Sequence, residues 1–112
     1  MISNASLGAL SELVACAWLL CEGYQVFRNV SPHGPYDVVA IKGDDVIRID
    51  VKTIRRYGSE GKYPIPNHKL RAPDAVILYV DAEDQRCVFR ISDLGVTSRP
   101  EDSACNPGRA VI

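Results

Sequence analysis

Apolar and polar residues alternate along two neighbouring stretches of the chain, residues 36–42 and residues 45–53. Both stretches are rich in Val and Ile, which favour strands, and the Gly43-Asp44 pair between them is a typical turn sequence. The pattern therefore predicts a β-hairpin whose strands are joined by a two-residue loop. A four-residue loop would preserve the same pairing of residues, whereas a three-residue loop would destroy it.

The register of this hairpin decides which side chains share a face. A two-residue loop places Asp37 opposite Asp50, and Lys52 points the same way two residues further along. The other face carries aliphatic residues that form a packing surface: Val38, Ala40, Ile47, Ile49 and Val51. Two opposed carboxylates repel each other, and a divalent cation that prefers hard oxygen ligands, such as Mg²⁺, would offset that cost. The solvated face of an ordinary hairpin gives the same alternation, so the three charged residues need support from another element.

The N-terminal residues predict a helix that begins after a polar cap at position 3, 4 or 6 and runs to about residue 22, before Gly23. We expect its main apolar stripe to comprise Leu10, Leu13, Ala17, Trp18 and Cys21. Glu12 lies on another face among small or apolar neighbours, which predicts a partly enclosed carboxylate. A buried carboxylate needs a partner, and a metal ion or a cation such as Lys52 would serve. The alternative is a glutamate at the helix edge that faces water.

The rest of the chain predicts further strands and an irregular connection. Strand patterns occur at residues 24–29, 75–80 and 86–91. The continuous apolar run at 75–80 is expected to form a central strand covered on both faces. Gly and Pro residues between 54 and 73 exclude a long helix there. We therefore predict one domain over residues 1–94 and an extended C-terminal tail over residues 95–112.

Composition is that of a globular domain with a real core, since 46% of the residues are apolar and 24% are charged. The four cysteines form no C-x-x-C pair, so Cys16, Cys21 and Cys87 are interpreted as small buried residues and zinc is not expected. We judge the helix too short and too interrupted by acidic residues to span a membrane, and find no signal-like stretch. These observations predict a cytoplasmic protein without a membrane partner.

The net charge of −1 hides an uneven distribution along the chain. Residues 52–71 carry six positive and one negative charge, between two acidic segments. Such a basic stretch can bind phosphates, although a solvated loop has the same composition. Its candidate nucleic-acid contacts, besides Lys52, are Arg55, Arg56, Lys62, Lys69 and Arg71.

The order of the motifs resembles the PD-(D/E)xK nuclease superfamily. A helix with Gly8-x-x-x-Glu12 is followed by a strand, Pro35-Tyr36-Asp37, a second strand and turn, and then Asp50-x-Lys52. The resemblance covers about residues 5–91 and implies an α/β fold with a restriction-endonuclease-like core. That core would contain an N-terminal helix and a central mixed sheet of four to five strands. The second core helix of the family should follow the third strand, where Gly and Pro predict that it is short or missing.

The resemblance also implies roles for individual residues. In that family the residues matching Asp37 and Asp50 bind Mg²⁺, for which Mn²⁺ is expected to substitute. The residue matching Lys52 contacts the attacking water or the scissile phosphate. The residue matching Glu12 completes the metal environment, and the carbonyl of the residue matching Val51 often adds a ligand.

The sequence hypothesis is thus a Mg²⁺-dependent endonuclease that acts on DNA, of a structure-specific, homing or restriction type. A single site cuts one strand, so double-strand or junction cleavage would require a homodimer. Arg55 and Arg56 would clamp neighbouring phosphates, while Thr53 is assigned to packing and His33 is expected to be solvated. The alternatives are a non-catalytic nucleic-acid-binding subunit with the same fold and an RNA endonuclease.

Overall fold

The computed structural model describes residues 2–31, 33–64, 74–92 and 95–98. These residues form one helix and six strands: α1 (Asn4–Cys21), β1 (Gln25–Arg28), β2 (Val38–Lys42), β3 (Asp45–Thr53), β4 (Ala75–Asp81), β5 (Arg86–Ser92) and β6 (Gly95–Ser98). The strands make a single sheet in the order β1-β2-β3-β4-β5-β6. The sheet is mixed, because β3 and β4 are parallel while every other pair of neighbours is antiparallel.

The central hairpin is confirmed with the predicted loop. Lys42 pairs with Asp45 and Val38 pairs with Ile49, so two residues connect β2 and β3. Gly43 has a φ of +60°, the left-handed conformation that tight hairpin turns require and that glycine adopts without strain.

The ends of the sheet differ from the sequence prediction. β2 begins at Val38, two residues later than predicted. The short strand β6 lies inside the predicted tail and pairs with β5, so the described sheet has one strand more than the four to five expected. A segment of four residues is too short to show a period of two, and its strand conformation depends on the neighbouring strand. The rest of the predicted tail lies outside the described residues.

Helix α1 packs on one face of the sheet through a stripe that differs from the predicted one. Its buried residues are Leu7, Ser11, Val14, Ala15, Cys16, Trp18 and Leu19. Leu13, placed on the main stripe by the sequence prediction, is 52% exposed, and Ala17 and Cys21 are exposed as well. The prediction holds for Trp18, which is buried, and for Leu10, which packs against the core. It was wrong for the other three residues because the helix is apolar almost all round, so periodicity alone does not select the face that meets the sheet.

The caps of α1 were identified correctly. Ser3 is the N-cap residue, and its hydroxyl accepts a hydrogen bond from the Ser6 N–H at 3.2 Å. After the helix, Gly23 has a φ of +96°, which ends the helix in a left-handed residue.

Strand β4 is central and covered on both faces, as predicted. On the helix side, Leu78 and Val80 join the main core with residues of α1 and β2. On the other side, Ile77 and Tyr79 belong to a second cluster of buried residues. Each fully buried side chain of this size stabilises the fold by about 1.5–3 kcal/mol. The second cluster gives the sheet a buried face on the side where the charged residues of β3 lie.

By length and composition α1 resembles a membrane-spanning helix, since it has 18 residues and high mean hydropathy. The prediction that it is too short to span was therefore wrong on length. In this structure the apolar residues on one side of α1 pack against the sheet, as those of a core helix do.

The cysteine prediction holds for two residues and fails for one. Cys16 and Cys87 are buried, and burial raises the pKa of the Cys87 thiol to about 12. Cys21 is exposed near the end of α1, so it is not the small core residue that was expected.

Candidate active site

Asp37 lies immediately before β2, where that strand stops covering β3. Its main-chain N–H donates to the Ile49 carbonyl at 2.8 Å. Its side-chain Oδ2 accepts a hydrogen bond from the Val51 N–H at 2.7 Å. Because β3 continues beyond the last β2–β3 pair at Val38 and Ile49, the Asp37 carboxylate takes the place of a strand partner for Val51.

This geometry corrects the predicted pairing of Asp37 with Asp50. The regular ladder ends at Val38, and Asp37 is bonded to the residues on either side of Asp50 rather than paired with it. The two carboxylates still belong to the same end of the hairpin, because Asp37 contacts the main chain of β3 around Asp50.

Asp50 and Lys52 lie on the sheet face away from α1, as the alternation predicts. Asp50 is only 4% exposed, and the Lys52 Nζ lies 3.5 Å from its Oδ2. Their partners across the parallel pair with β4 are Ile77 and Tyr79, members of the second apolar cluster. Burial, and then the charge of Asp50, raise the pKa of Tyr79 to about 12. A buried charge of this kind is costly for stability, which is typical of functional sites.

Glu12 is partly enclosed, as predicted, with 28% of its side chain exposed. Burial raises the pKa of Glu12, the nearby charge of Asp37 raises it further, and the charge of Arg28 lowers it. The ion-pair partner that the structure shows is Arg28, at 3.8 Å, and not Lys52 as suggested from the sequence. The helix thus brings a third carboxylate to the end of β2, although α1 packs on the opposite face from Lys52.

Arg28 is a site residue that the sequence reasoning missed. It is the last residue of β1 and pairs with Val38, so the sheet places it beside Asp37. About half of its side chain is exposed. In the sequence, Arg28 is recognisable only as a basic residue near the end of a predicted strand, and this pattern is too common to identify a site residue.

The carboxylates have the donor chemistry that a hard divalent cation prefers. Glu12, Asp37 and Asp50 offer carboxylate oxygens, and the Val51 carbonyl is a further candidate ligand. In the part of the chain that the structure describes, however, no three His, Cys, Asp or Glu side chains are grouped closely enough to hold a metal ion as they stand. The side chains have oxygen atoms of the type that such an ion binds, but the carboxylates would have to approach one another to bind it. The ligand set stays a prediction.

The basic residues after Lys52 are engaged with acidic neighbours. Arg55 lies 3.7 Å from Glu83, and Arg56 lies 3.0 Å from Asp84. Lys62 lies 2.7 Å from Glu60. These exposed ion pairs would have to be exchanged for contacts with phosphates, so the nucleic-acid role of these residues stays a prediction. Lys69 and Arg71 lie outside the described residues.

Thr53 and His33 have the positions that the sequence predicted. The Thr53 Oγ1 lies 2.8 Å from the Oγ of Ser11, a buried residue of α1, so Thr53 joins strand and helix on the packing side. His33 is exposed in the loop before Asp37.

The fold defined by this sheet and helix is that of the restriction-endonuclease-like proteins. The structure matches that of a bacterial homing endonuclease, I-Ssp6803I, with a TM-score of 0.67 over 82% of this chain and 67% of that one. The two sequences are 19% identical, so this comparison establishes the fold alone.

The family follows from the sequence comparisons. The model of the PD-(D/E)XK endonuclease family matches residues 2–93, and this chain belongs to that family. A UPF0102 protein from Syntrophomonas wolfei subsp. wolfei is 33% identical over 81 residues, which are 69% of this chain and 70% of that protein. The resemblance noted from Glu12, Asp37, Asp50 and Lys52 is thereby confirmed at the level of the family, as is the predicted fold class.

Proposed function

We propose that this protein is a metal-dependent endonuclease that hydrolyses phosphodiester bonds in DNA. The observation that carries the proposal is the buried Asp50 beside Lys52, at the end of the hairpin where Asp37 and Glu12 also meet. The burial of Asp50 and the unfavourable charge of Asp37 near Glu12 both cost stability, so packing alone does not explain these acidic residues. Membership of an endonuclease family supports the same conclusion.

Each residue of the site has a distinct task in this proposal. Asp37, Asp50 and Glu12 would hold a divalent cation, which when bound would neutralise charge on the phosphate and lower the pKa of a bound water. Mg²⁺ is the proposed resident ion, with Mn²⁺ as a substitute.

Lys52 supplies the positive charge on the protein side. Its Nζ is held near Asp50, and 27% of its side chain is exposed, so it can approach a phosphate or orient the attacking water without leaving the site. Arg28 is exposed and paired with Glu12 over a long distance of 3.8 Å, which leaves it able to turn towards a phosphate.

A cytoplasmic homodimer would serve this activity on duplex or branched DNA, since one domain of this size offers one site. The ungrouped arrangement of the carboxylates also favours a second candidate, a nucleic-acid-binding subunit that does not cleave. The two functions differ in their requirement for metal ions, because binding through phosphate contacts alone needs no Mg²⁺ and is weakened by added salt of any kind.

The test is cleavage of labelled linear, nicked and four-way-junction DNA, and of a matched RNA, in Mg²⁺, Mn²⁺ or EDTA. The wild type is compared with Lys52→Ala and with Lys42→Ala, a matched control because Lys42 lies on the same hairpin at its other end. We expect metal-dependent cutting of DNA that is lost in Lys52→Ala and retained in Lys42→Ala. Metal-independent binding without cutting of any substrate would favour the binding subunit, and cutting of RNA alone would change the substrate class.

A further inference from the structure

The loop between β1 and β2 delivers Asp37 to the site, and one residue, Asn29, holds that loop through its main chain and its side chain. Asn29 follows directly after β1. Its main-chain N–H donates to the Asp37 carbonyl at 2.9 Å, so the loop begins and ends on the same pair of residues.

The side chain of Asn29 bridges the inside of the loop. Its Nδ2 donates to the Tyr36 carbonyl at 2.9 Å and to the His33 carbonyl at 3.4 Å. Its Oδ1 accepts a hydrogen bond from the Ser31 N–H at 2.8 Å, the geometry of an Asx turn. One amide group therefore satisfies three main-chain groups, and the one nearest the site belongs to the residue immediately before Asp37.

The loop is also shaped to fit this amide. Gly34 has a φ of +124°, a conformation that other residues rarely adopt. A Cβ atom at Gly34 would lie 3.6 Å from the Asn29 Nδ2, so the loop packs closely against the amide. The Asn29 side chain thus stabilises the loop by bonding to several of its main-chain groups.

We propose that Asn29 is a positioning residue for Asp37, an inference that rests on the proposed function of the site. By fixing the carbonyls of Tyr36 and Asp37, Asn29 fixes the main chain from which the Asp37 carboxylate reaches the Val51 N–H. Replacing a residue that holds a metal-binding side chain in place commonly lowers metal affinity or activity by about 10–100-fold. Asn29 would thus set how well Asp37 can serve a divalent cation without touching the cation or the DNA.

The experiment reads the position of Asp37 directly, without cleavage. The amide proton of Val51 donates to the Asp37 carboxylate, so its chemical shift in a ¹H–¹⁵N spectrum reports that hydrogen bond. Asn29→Ala removes all three side-chain hydrogen bonds within the loop and retains the main-chain bond to Asp37. Asn29→Ser retains a short acceptor for the Ser31 N–H but has no donor that reaches Tyr36, so it serves if Asn29→Ala fails to fold. The matched control is Lys42→Met, which removes a 2.8 Å hydrogen bond from a side chain to the Glu22 carbonyl at the other end of β2.

We expect the Val51 amide resonance to move upfield in the Asn29 variants and to stay in place in Lys42→Met. Calorimetric Mn²⁺ affinity, measured without DNA, should fall about tenfold or more in the Asn29 variants, while DNA binding in EDTA is unchanged. A Val51 resonance that matches the control would overturn the positioning role. Absence of Mn²⁺ binding by the wild type would instead count against the proposed function, and the Val51 resonance would still decide the role of Asn29.

Discussion

Two aspartates on neighbouring strands are equally buried but have opposite surroundings. Asp50 in β3 is 4% exposed and Asp81 at the end of β4 is 3% exposed. Asp50 has a lysine at 3.5 Å, and Asp37 is hydrogen-bonded to the main chain of the residues on either side of it, Ile49 and Val51. The comparison separates a carboxylate that stabilises the fold from one that is retained at a cost to it.

Asp81 is surrounded by donors. The Tyr63 hydroxyl donates to its Oδ2 at 2.7 Å, and the N–H groups of Glu83 and Asp84 donate to its Oδ1 at 3.0 and 3.1 Å. The Arg56 Nε lies 3.9 Å from the same carboxylate. These contacts join the β4–β5 turn to the segment after β3, so Asp81 organises that turn.

Burial of a charge therefore does not by itself identify a functional residue. Where neutral and positive donors converge on the charge, its burial is compensated and its role is structural. A buried charge that belongs to the candidate site is instead expected to act through the ligand that the proposed function assigns to it. Three substitutions test this distinction.

The largest effect is expected for Asp50→Asn. Under the proposed function we expect single-turnover cleavage of DNA to fall by about 10²–10³-fold or more, because the variant loses a carboxylate that would hold the divalent cation. The free energy of unfolding, measured by urea denaturation, should stay equal or rise by about 1 kcal/mol, since a neutral amide removes the cost of burying the Asp50 charge. Asp45→Asn, on the exposed part of the same strand, is the control and should change neither quantity. A cleavage rate close to that of the wild type would remove Asp50 from the site.

For Asp81→Ala we expect the opposite result: a large loss of stability and little change in the cleavage rate. The substitution leaves two turn N–H groups and the Tyr63 hydroxyl without their acceptor, which should lower the free energy of unfolding by about 2–3 kcal/mol. The folded fraction should cleave DNA at nearly the wild-type rate. Asp84→Ala removes only an exposed ion pair with Arg56 and should cost less than about 1 kcal/mol. Equal stabilities of the two variants would show that Asp81 is not the organising group.

The smallest effect concerns an exposed carboxylate, Asp74. The Tyr36 hydroxyl donates to Asp74 at 2.6 Å and lowers its pKa, and the charge of Arg48 at 3.4 Å lowers it too. A lowered pKa means that this contact stabilises the fold above the pKa of the unfolded chain, and that the contribution is lost as the pH falls through the lower folded value. In Tyr36→Phe we expect the pKa of Asp74 to rise towards 3.8, followed by NMR titration of the carboxyl carbon. Arg48→Met should raise it less, and an unchanged value in Tyr36→Phe would contradict the hydrogen bond.

Much of the site was accessible from local pattern alone. The turn length, the alternation of β3 and the common face of Asp50 and Lys52 depend on residues close in sequence, where a strand has a period of two and a turn has few conformations. The order of Glu12, Asp37 and Asp50-x-Lys52 was sufficient to indicate the family, which the comparison confirms.

What local pattern could not supply is the set of contacts between distant segments. The buried face of α1 was predicted wrongly because an almost entirely apolar helix has no preferred side until a sheet is packed against it. The partner of Glu12 is Arg28, which lies sixteen positions further along the chain, because the sheet places the end of β1 beside the start of β2.

Local sequence was enough to predict the hairpin, its charged face and the endonuclease family, since these depend on spacing within a strand and on the order of a few residues. The way in which Asp37 is held, through Asn29 and the Val51 N–H, became visible only in the folded structure. So did the ion pairs of the basic residues, such as that of Arg56 with Asp84. Contacts of this kind join segments that are distant in sequence, and many residues of the same chemical type along the chain could have supplied the partner.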